Sequence, residues 1–226
     1  LSVLVALLGG VNGQEVRDVG TGPAPAPLPV SWEIELKFLD PRRIQVQLPG
    51  QSEPEVYWYL VYTAINRSQA TQRFYPQFQL VTEDLTVFDT DVGIDRRVFE
   101  AIRERHKVTH PFLVSPTEAI GDLKVGEDNA RESVAIWRNV KMSGNTLAIY
   151  VAGLSGETHL LRNPAYDPAR PETVRLEVNG LEREVTVNPR FFVLRKTLEL
   201  RYRLPGSEAA RQTVDPLRES VRWIMR

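Results

Sequence analysis

From Val56 to Tyr62 the chain reads VYWYLVY, seven consecutive residues without a polar side. Successive side chains of a strand point to opposite faces, so Tyr57, Tyr59 and Val61 share one face while Trp58, Leu60 and Tyr62 share the other. Both faces are apolar and both need cover, which places the segment in the middle of a packed sheet. A ring platform for a sugar or peptide would instead expose one face beside polar partners. The four rings therefore read as core, with their hydroxyls reaching partners near the strand ends.

Shorter segments of period two surround this centre. Trp32, Ile34, Leu36 and Phe38 alternate with Glu33, Glu35 and Lys37, and Ile44, Val46 and Leu48 repeat the pattern up to Pro49-Gly50. Strand-like runs follow at residues 74–81, with Pro76 marking an edge or bulge, then at 85–88, 133–137 and 146–154. Segments 173–178 and 181–187 flank Asn179-Gly180, a pairing suited to a two-residue hairpin turn. Leu198, Leu200, Tyr202 and Leu204 alternate with Glu199, Arg201 and Arg203, giving a strand with a solvated, mostly basic face. The period changes at residues 95–106, where Ile94, Val98, Ala101 and Ile102 form one stripe of a helix about three turns long. A short second helix is expected around Thr117 to Leu123. The pattern predicts a mainly β fold, an immunoglobulin-like antiparallel β-sandwich with one inserted helix over residues 32–205, with a barrel as the alternative. Residues 206–226 are expected to form a C-terminal tail whose Trp223-Ile224-Met225 can dock back on the domain.

The start of the chain has a different character. LSVLVALLGG is apolar but shorter than the ~20 residues that span a bilayer, and Val11-Asn12-Gly13-Gln14 suits a signal-peptidase cut. Residues 1–13 read as the remnant of an export signal, and 14–31, containing GPAPAPLPV, as an extended tether. With no cysteine, disulfides and thiolate metal sites are excluded, and the core alone must hold the fold. The 28 basic and 29 acidic side chains leave a net charge of −1, which provides no overall field for nucleic acid or an anionic membrane. A periplasmic or extracellular location is expected, with an envelope protein or extracellular polymer as partner, no nucleic acid and no membrane span.

Several polar constellations invite a chemical reading. Asp89, Asp91, Asp95 and Glu100 fall at the first, third, seventh and twelfth places of a calcium loop. However, Ile94 occupies the place of the sharp-turn glycine and Gly93 sits one position early. The competing reading, a turn at Gly93 with Asp91 or Asp95 capping the helix, is preferred. His106 and His110 stand four apart, but Pro111 disfavours helical geometry at His110, and solvated histidines at a helix end outweigh a zinc site with these or with His159. GLSGE at residues 153–157 approaches a serine-hydrolase elbow, but Glu157 replaces the final glycine and no helix follows, so a tight polar loop is favoured. The carboxylate pairs Glu83-Asp84 and Glu182-Glu184 read as solvated faces. Arg96, Arg97, Arg103 and Arg105, interleaved with Glu100 and Glu104, read as surface ion pairs. Asn66-Arg67-Ser68 fits a glycosylation sequon. No catalytic, cofactor-binding or metal-binding residue is assigned from these patterns, and no cofactor is expected.

Four segments, YWYLVYTAINRS (57–68), GEDNARESVAIW (126–137), LAIYVAGLSGE (147–157) and LRKTLELRYRLPG (194–206), together resemble a group of exported bacterial proteins of unassigned function. They are more distantly similar to secreted bacterial immunoglobulin-like domains, in which a strand ending in Asn leads to a turn and a Gly-Glu loop introduces a strand. Asn66 and Gly126-Glu127 stand in those places. The resemblance implies a sandwich and an export route and carries over no catalytic residue. The expected function is that of a non-catalytic interaction module working through sheet edges and end loops, above all residues 82–95 and 153–170. The alternatives are an exported hydrolase acting on glycan or peptide, which requires two facing acids in a cleft, and a calcium-stabilised adhesion domain.

Overall fold

A computed structural model describes residues 32–178 and 181–226. The expected export remnant, the tether and the Asn179-Gly180 turn lie outside the described residues. In the first sheet, β3 (Glu55–Asn66) holds β8 (Arg131–Arg138) along one edge. Along its other edge lie β1 (Ile34–Phe38) and β2 (Arg42–Val46), end to end, and all pairings are antiparallel. Phe38 is opposite Tyr62 and Arg42 is opposite Tyr59, so four steps along β1–β2 match three along β3. The extra residue lies in Leu39-Asp40-Pro41, a bulge at which the missing Pro41 amide leaves no ladder donor unused. A one-residue shift moves every later side chain to the other face. Ile34, Leu36 and Phe38 consequently face one core, while Ile44 and Val46 face a second on the opposite side of the sheet.

The second sheet runs β6 (Val87–Asp89), β5 (Gln77–Thr82), β9 (Thr146–Ala152), β13 (Phe191–Arg203), β14 (Leu217–Met225). It packs on the Trp58, Leu60 and Tyr62 face of β3 through Leu80, Ile149, Leu200 and Tyr202, which makes the two sheets a sandwich. The short pair β4 (Gln72–Phe74) and β7 (Gly121–Leu123) adds Phe74 and Leu123 to this core. On the other side of β3, Tyr57, Tyr59 and Val61 are covered by α1 (Arg96–His106) through Val98, Phe99 and Ile102. The two apolar faces of VYWYLVY thus have different covers, a sheet and a helix. No helix among the described residues is long and apolar enough to cross a membrane.

Several expectations are corrected. Besides α1 and the expected short second helix, α2 (Pro116–Ala119), the described residues contain a third that was not expected, α3 (Glu208–Arg211), and only α1 exceeds four residues. The second helix stops at Ala119, and the chain continues as β7 instead of remaining helical to Leu123. Phe99, absent from the expected stripe of α1, is buried, whereas Ala101 is only partly so. Residues 206–226 do not form a loose tail, because β14 pairs with β13 from Lys196 to Arg203 and brings Trp223 against the inter-sheet core, the docking anticipated for Trp223. The hairpin of β11 (Thr173–Val178) and β12 (Leu181–Thr186) has Val178 opposite Leu181, the register that a two-residue turn requires.

Candidate functional site

The rings of β3 form no platform: Tyr57, Trp58, Tyr59 and Tyr62 are each at most 3% exposed. Their hydroxyls are used internally. Tyr57 donates to Glu55 at 2.7 Å, and burial together with that carboxylate pushes the Tyr57 phenol up to about 12. Tyr59 meets His106 Nε2 at 3.1 Å and accepts from Arg105 at 3.3 Å. His106, expected to be solvated, is 7% exposed, and its burial, with the nearby His110, Arg42 and Arg105, depresses its pKa. His159 lies elsewhere, on β10 (Thr158–Arg162), opposite Leu194.

The four acids of the calcium spacing do not converge. Asp89 accepts from Gln79 at 2.9 Å, Asp95 caps α1 by accepting from the Arg97 amide, and Glu100 pairs with Arg96 at 2.9 Å. Asp91, at φ 61°, ties the turn to β8: its amide donates to Ile136 O at 2.8 Å and its Oδ1 accepts from the Ile136 amide at 3.3 Å. Among the described residues, no group of three or more His, Asp or Glu side chains is placed to hold a metal. The spacing is built as a turn and a helix cap.

GLSGE knits the sandwich end together. Gly153 takes φ 82°, Leu154 O accepts from the Ile34 amide at 2.8 Å, and Ser155 Oγ donates to Trp32 O at 3.3 Å while accepting from the Glu157 amide at 3.1 Å. The serine hydroxyl is a loop fastener. Lys196 joins Glu157 at 3.1 Å and Glu33 at 2.9 Å and lies over the Trp223 ring. Glu83 and Asp84 bind backbone amides around the neighbouring turns, and Glu184 accepts from Thr173 at 2.7 Å. Asn66 is fully buried and its amide donates to Ala70 O and Leu123 O, so the sequon is not presented to solvent.

A cleft of about 420 Å³ lies between α1 and α2, lined among others by Asp91, Phe99, Arg103 and Glu118. Although Asp91 as a residue is exposed, its carboxyl turns toward Ile136, and desolvation there pushes it up to about 6. The other acids of this cleft are engaged: Glu100 by Arg96, Asp95 by the helix amide, and Glu118 by Ser115. A raised carboxyl pKa means that the ionised form costs the folded state free energy above pH 6, a cost relieved as pH falls toward the unfolded value near ~3.9. Asp91→Asn keeps the acceptor for Ile136 and tolerates the left-handed backbone. With the effect discounted for Asp91's solvent contact, this variant is expected to melt about 2–4 °C higher at pH 7, equivalent to about 1 kcal/mol. The gain should vanish in thermal melts below about pH 4, where the wild-type carboxyl is protonated in both states.

Two surfaces remain open. On the free side of the sandwich a groove of about 820 Å³ runs between β1 and β14, walled by Trp32, Leu36, Phe38, Val221 and Trp223. At one end of the second sheet, β10 pairs with the first residues of β13 as a two-stranded ribbon. Leu160 and Val193 are exposed on one face, with Phe191, and Leu161 and Phe192 on the other. Neither outer edge of the ribbon from Phe191 to Leu194 meets another strand among the described residues, since β14 pairs only from Lys196 onward. Sequence reading placed no strand at Phe191. The run FFVL, apolar at every position like VYWYLVY, was the available signal.

The fold and these surfaces define a helix-backed antiparallel β-sandwich with an exposed apolar ribbon. The chain matches no family model, no curated protein and no solved structure.

Proposed function

We propose that this chain is an exported, non-catalytic interaction module of immunoglobulin-like type, and that it holds an extended segment of an envelope protein on the β10–β13 ribbon. The observation that carries this reading is the exposure of Leu160, Leu161, Phe191, Phe192 and Val193 together on a ribbon with unpaired edges. Exposed apolar side chains clustered on both faces of one short ribbon are the kind of surface that interaction sites present. Free edge amides and carbonyls offer main-chain hydrogen bonds to an added strand, and the flanking apolar side chains select its sequence. Only β10, with Leu160 and Leu161, lies within the 153–170 region expected to carry recognition; Phe191, Phe192 and Val193 of β13 lie outside it.

The test is a photo-crosslinking side chain at Leu160 in the native host, with the same group at Val108, at the far end of α1, as control. One reproducible protein adduct from position 160, absent from position 108 and lost when Leu161→Glu and Val193→Glu are added without change in melting temperature, is the expected result. Absence of any adduct, with turnover of a glycan or peptide library abolished by Asp91→Asn, would replace the module by a hydrolase working from the α1–α2 cleft.

A further inference from the structure

The ribbon offers more than apolar side chains. At the two ends of the β10–β13 ladder, the Lys196 amide donates to Glu157 O and the Asn163 amide donates to Arg190 O, both at 3.0 Å. The backbone groups of successive residues in an antiparallel strand point to opposite edges, so those of residues 157, 159, 161 and 163 face β13. Thr158, Leu160 and Arg162 consequently turn their N–H and C=O groups outward, to the edge of β10 that no strand covers. No hydrogen bond among the described residues uses these outward groups. The same three side chains share one face of the ribbon with Val193 and Phe191. Arg162 lies opposite Phe191, and the Arg190 guanidinium lies over the Phe191 ring, 5.5 Å from its centroid. Neither arginine has an ion-pair partner among the described residues, and residues 158–162 and 190–194 contain no acid. A free backbone edge, an apolar row and two cations without a carboxylate therefore meet at one end of the ribbon.

We propose that the outer edge of β10 takes up an extended peptide segment carrying an acidic side chain two residues from an apolar one, an inference that rests on the reading of the ribbon as an interaction site. Alternate side chains of an added strand share one face, so an apolar residue beside Leu160 places the residue two positions along beside Arg162. Arg190 stands one strand further, over Phe191. A carboxylate at that position meets two cations and no acid, a lysine is repelled, and a neutral side chain gains neither effect. Apolar and basic side chains together also suit an anionic membrane, but the backbone decides between the two partners. Hydrocarbon offers nothing to the outward N–H and C=O groups of β10, whereas an added strand pairs them.

The test measures, by fluorescence anisotropy with the full chain, the binding of labelled, capped hexapeptides Thr-Val-Thr-X-Thr-Val in which X is Glu, Gln or Lys. A valine stands two residues from X on each side, so either strand direction presents the pattern. The Glu peptide is expected to bind about fivefold more tightly than the Gln peptide, the upper range for one exposed ion pair, and the Lys peptide more weakly than both. The preference should disappear in about 1 M salt and in the Arg162→Gln/Arg190→Gln double variant, whose melting should match the wild type. Equal binding of the Glu and Gln peptides, both lost in Leu161→Glu/Val193→Glu, overturns the acidic preference and leaves the ribbon as an interaction site. Binding of no peptide also overturns the inference, and the crosslink from position 160 then decides separately whether the ribbon holds a protein. Binding to phosphatidylglycerol vesicles that Leu161→Glu/Val193→Glu abolishes assigns the surface to a membrane and overturns both readings.

Discussion

Deletion of Leu39 is expected to abolish cooperative folding, although Leu39 itself is partly exposed and contributes little to either core. The residue matters because it is one of three that span Phe38 to Arg42 while β3 advances by three steps from Tyr62 to Tyr59. Without it, β1 and β2 pair with β3 in one continuous register. Either Ile34, Leu36 and Phe38 leave the inter-sheet core, or Ile44 and Val46 leave the core beneath α1. Each such side chain returned to water costs about 1.5–3 kcal/mol. Two or three of them therefore consume much of the ~5–15 kcal/mol that holds an ordinary domain. The loss should appear as a missing near-ultraviolet circular dichroism signal and the absence of a sharp thermal transition. Leu39→Ser, which preserves chain length, should melt cooperatively within a few degrees of wild type. If the deletion variant melts with the wild type, the bulge does not set the faces and the two-core assignment is wrong.

The same bulge shows what a sequence can disclose about such a fold. The alternation of Ile34, Leu36 and Phe38 and that of Ile44 and Val46 are each visible locally. That they serve opposite faces is a property of their register on β3, which no single strand encodes. In β14 the alternation of Val221, Trp223 and Met225 is interrupted at Glu219, the residue left over where Arg201 pairs with Ser220 and Tyr202 with Arg218. That second bulge hides a full strand of the sandwich inside an apparent tail. VYWYLVY and FFVL are equally apolar on both faces, but one is enclosed and the other exposed, because burial depends on what the rest of the chain brings to each face. The acids of the calcium spacing fail for a related reason: positive φ at Asp91 and Gly93 turns the chain so that each carboxylate meets a different backbone or side-chain partner. Helix capping by Asp95 is legible because it is local.

Trp58→Ala tests the central ribbon directly and is expected to cost about 3–5 kcal/mol, the range for removing a large ring from a core that cannot collapse onto the space. Trp58 is 2% exposed and lies opposite Trp137 across β3 and β8, with both rings in the inter-sheet core. For a chain of this length each kcal/mol shifts the melting point by about 2–4 °C, so a fall of about 6–20 °C is expected. Tyr59→Phe provides the contrast on the other face: the ring stays under α1 and only the hydroxyl contacts with His106 and Arg105 are lost, at about 1 kcal/mol. A Trp58→Ala variant no less stable than Tyr59→Phe would mean that the ring does not pack between the sheets, and the ligand-platform reading of these aromatics would return. Because the sandwich core and the helix core share β3 as a common wall, removing Trp58 should lower the melting of both in one transition, followed together by near-ultraviolet signal and helix content. Two separated transitions would show that α1 and the sandwich are independent units, and that the two apolar faces of β3 do not couple them.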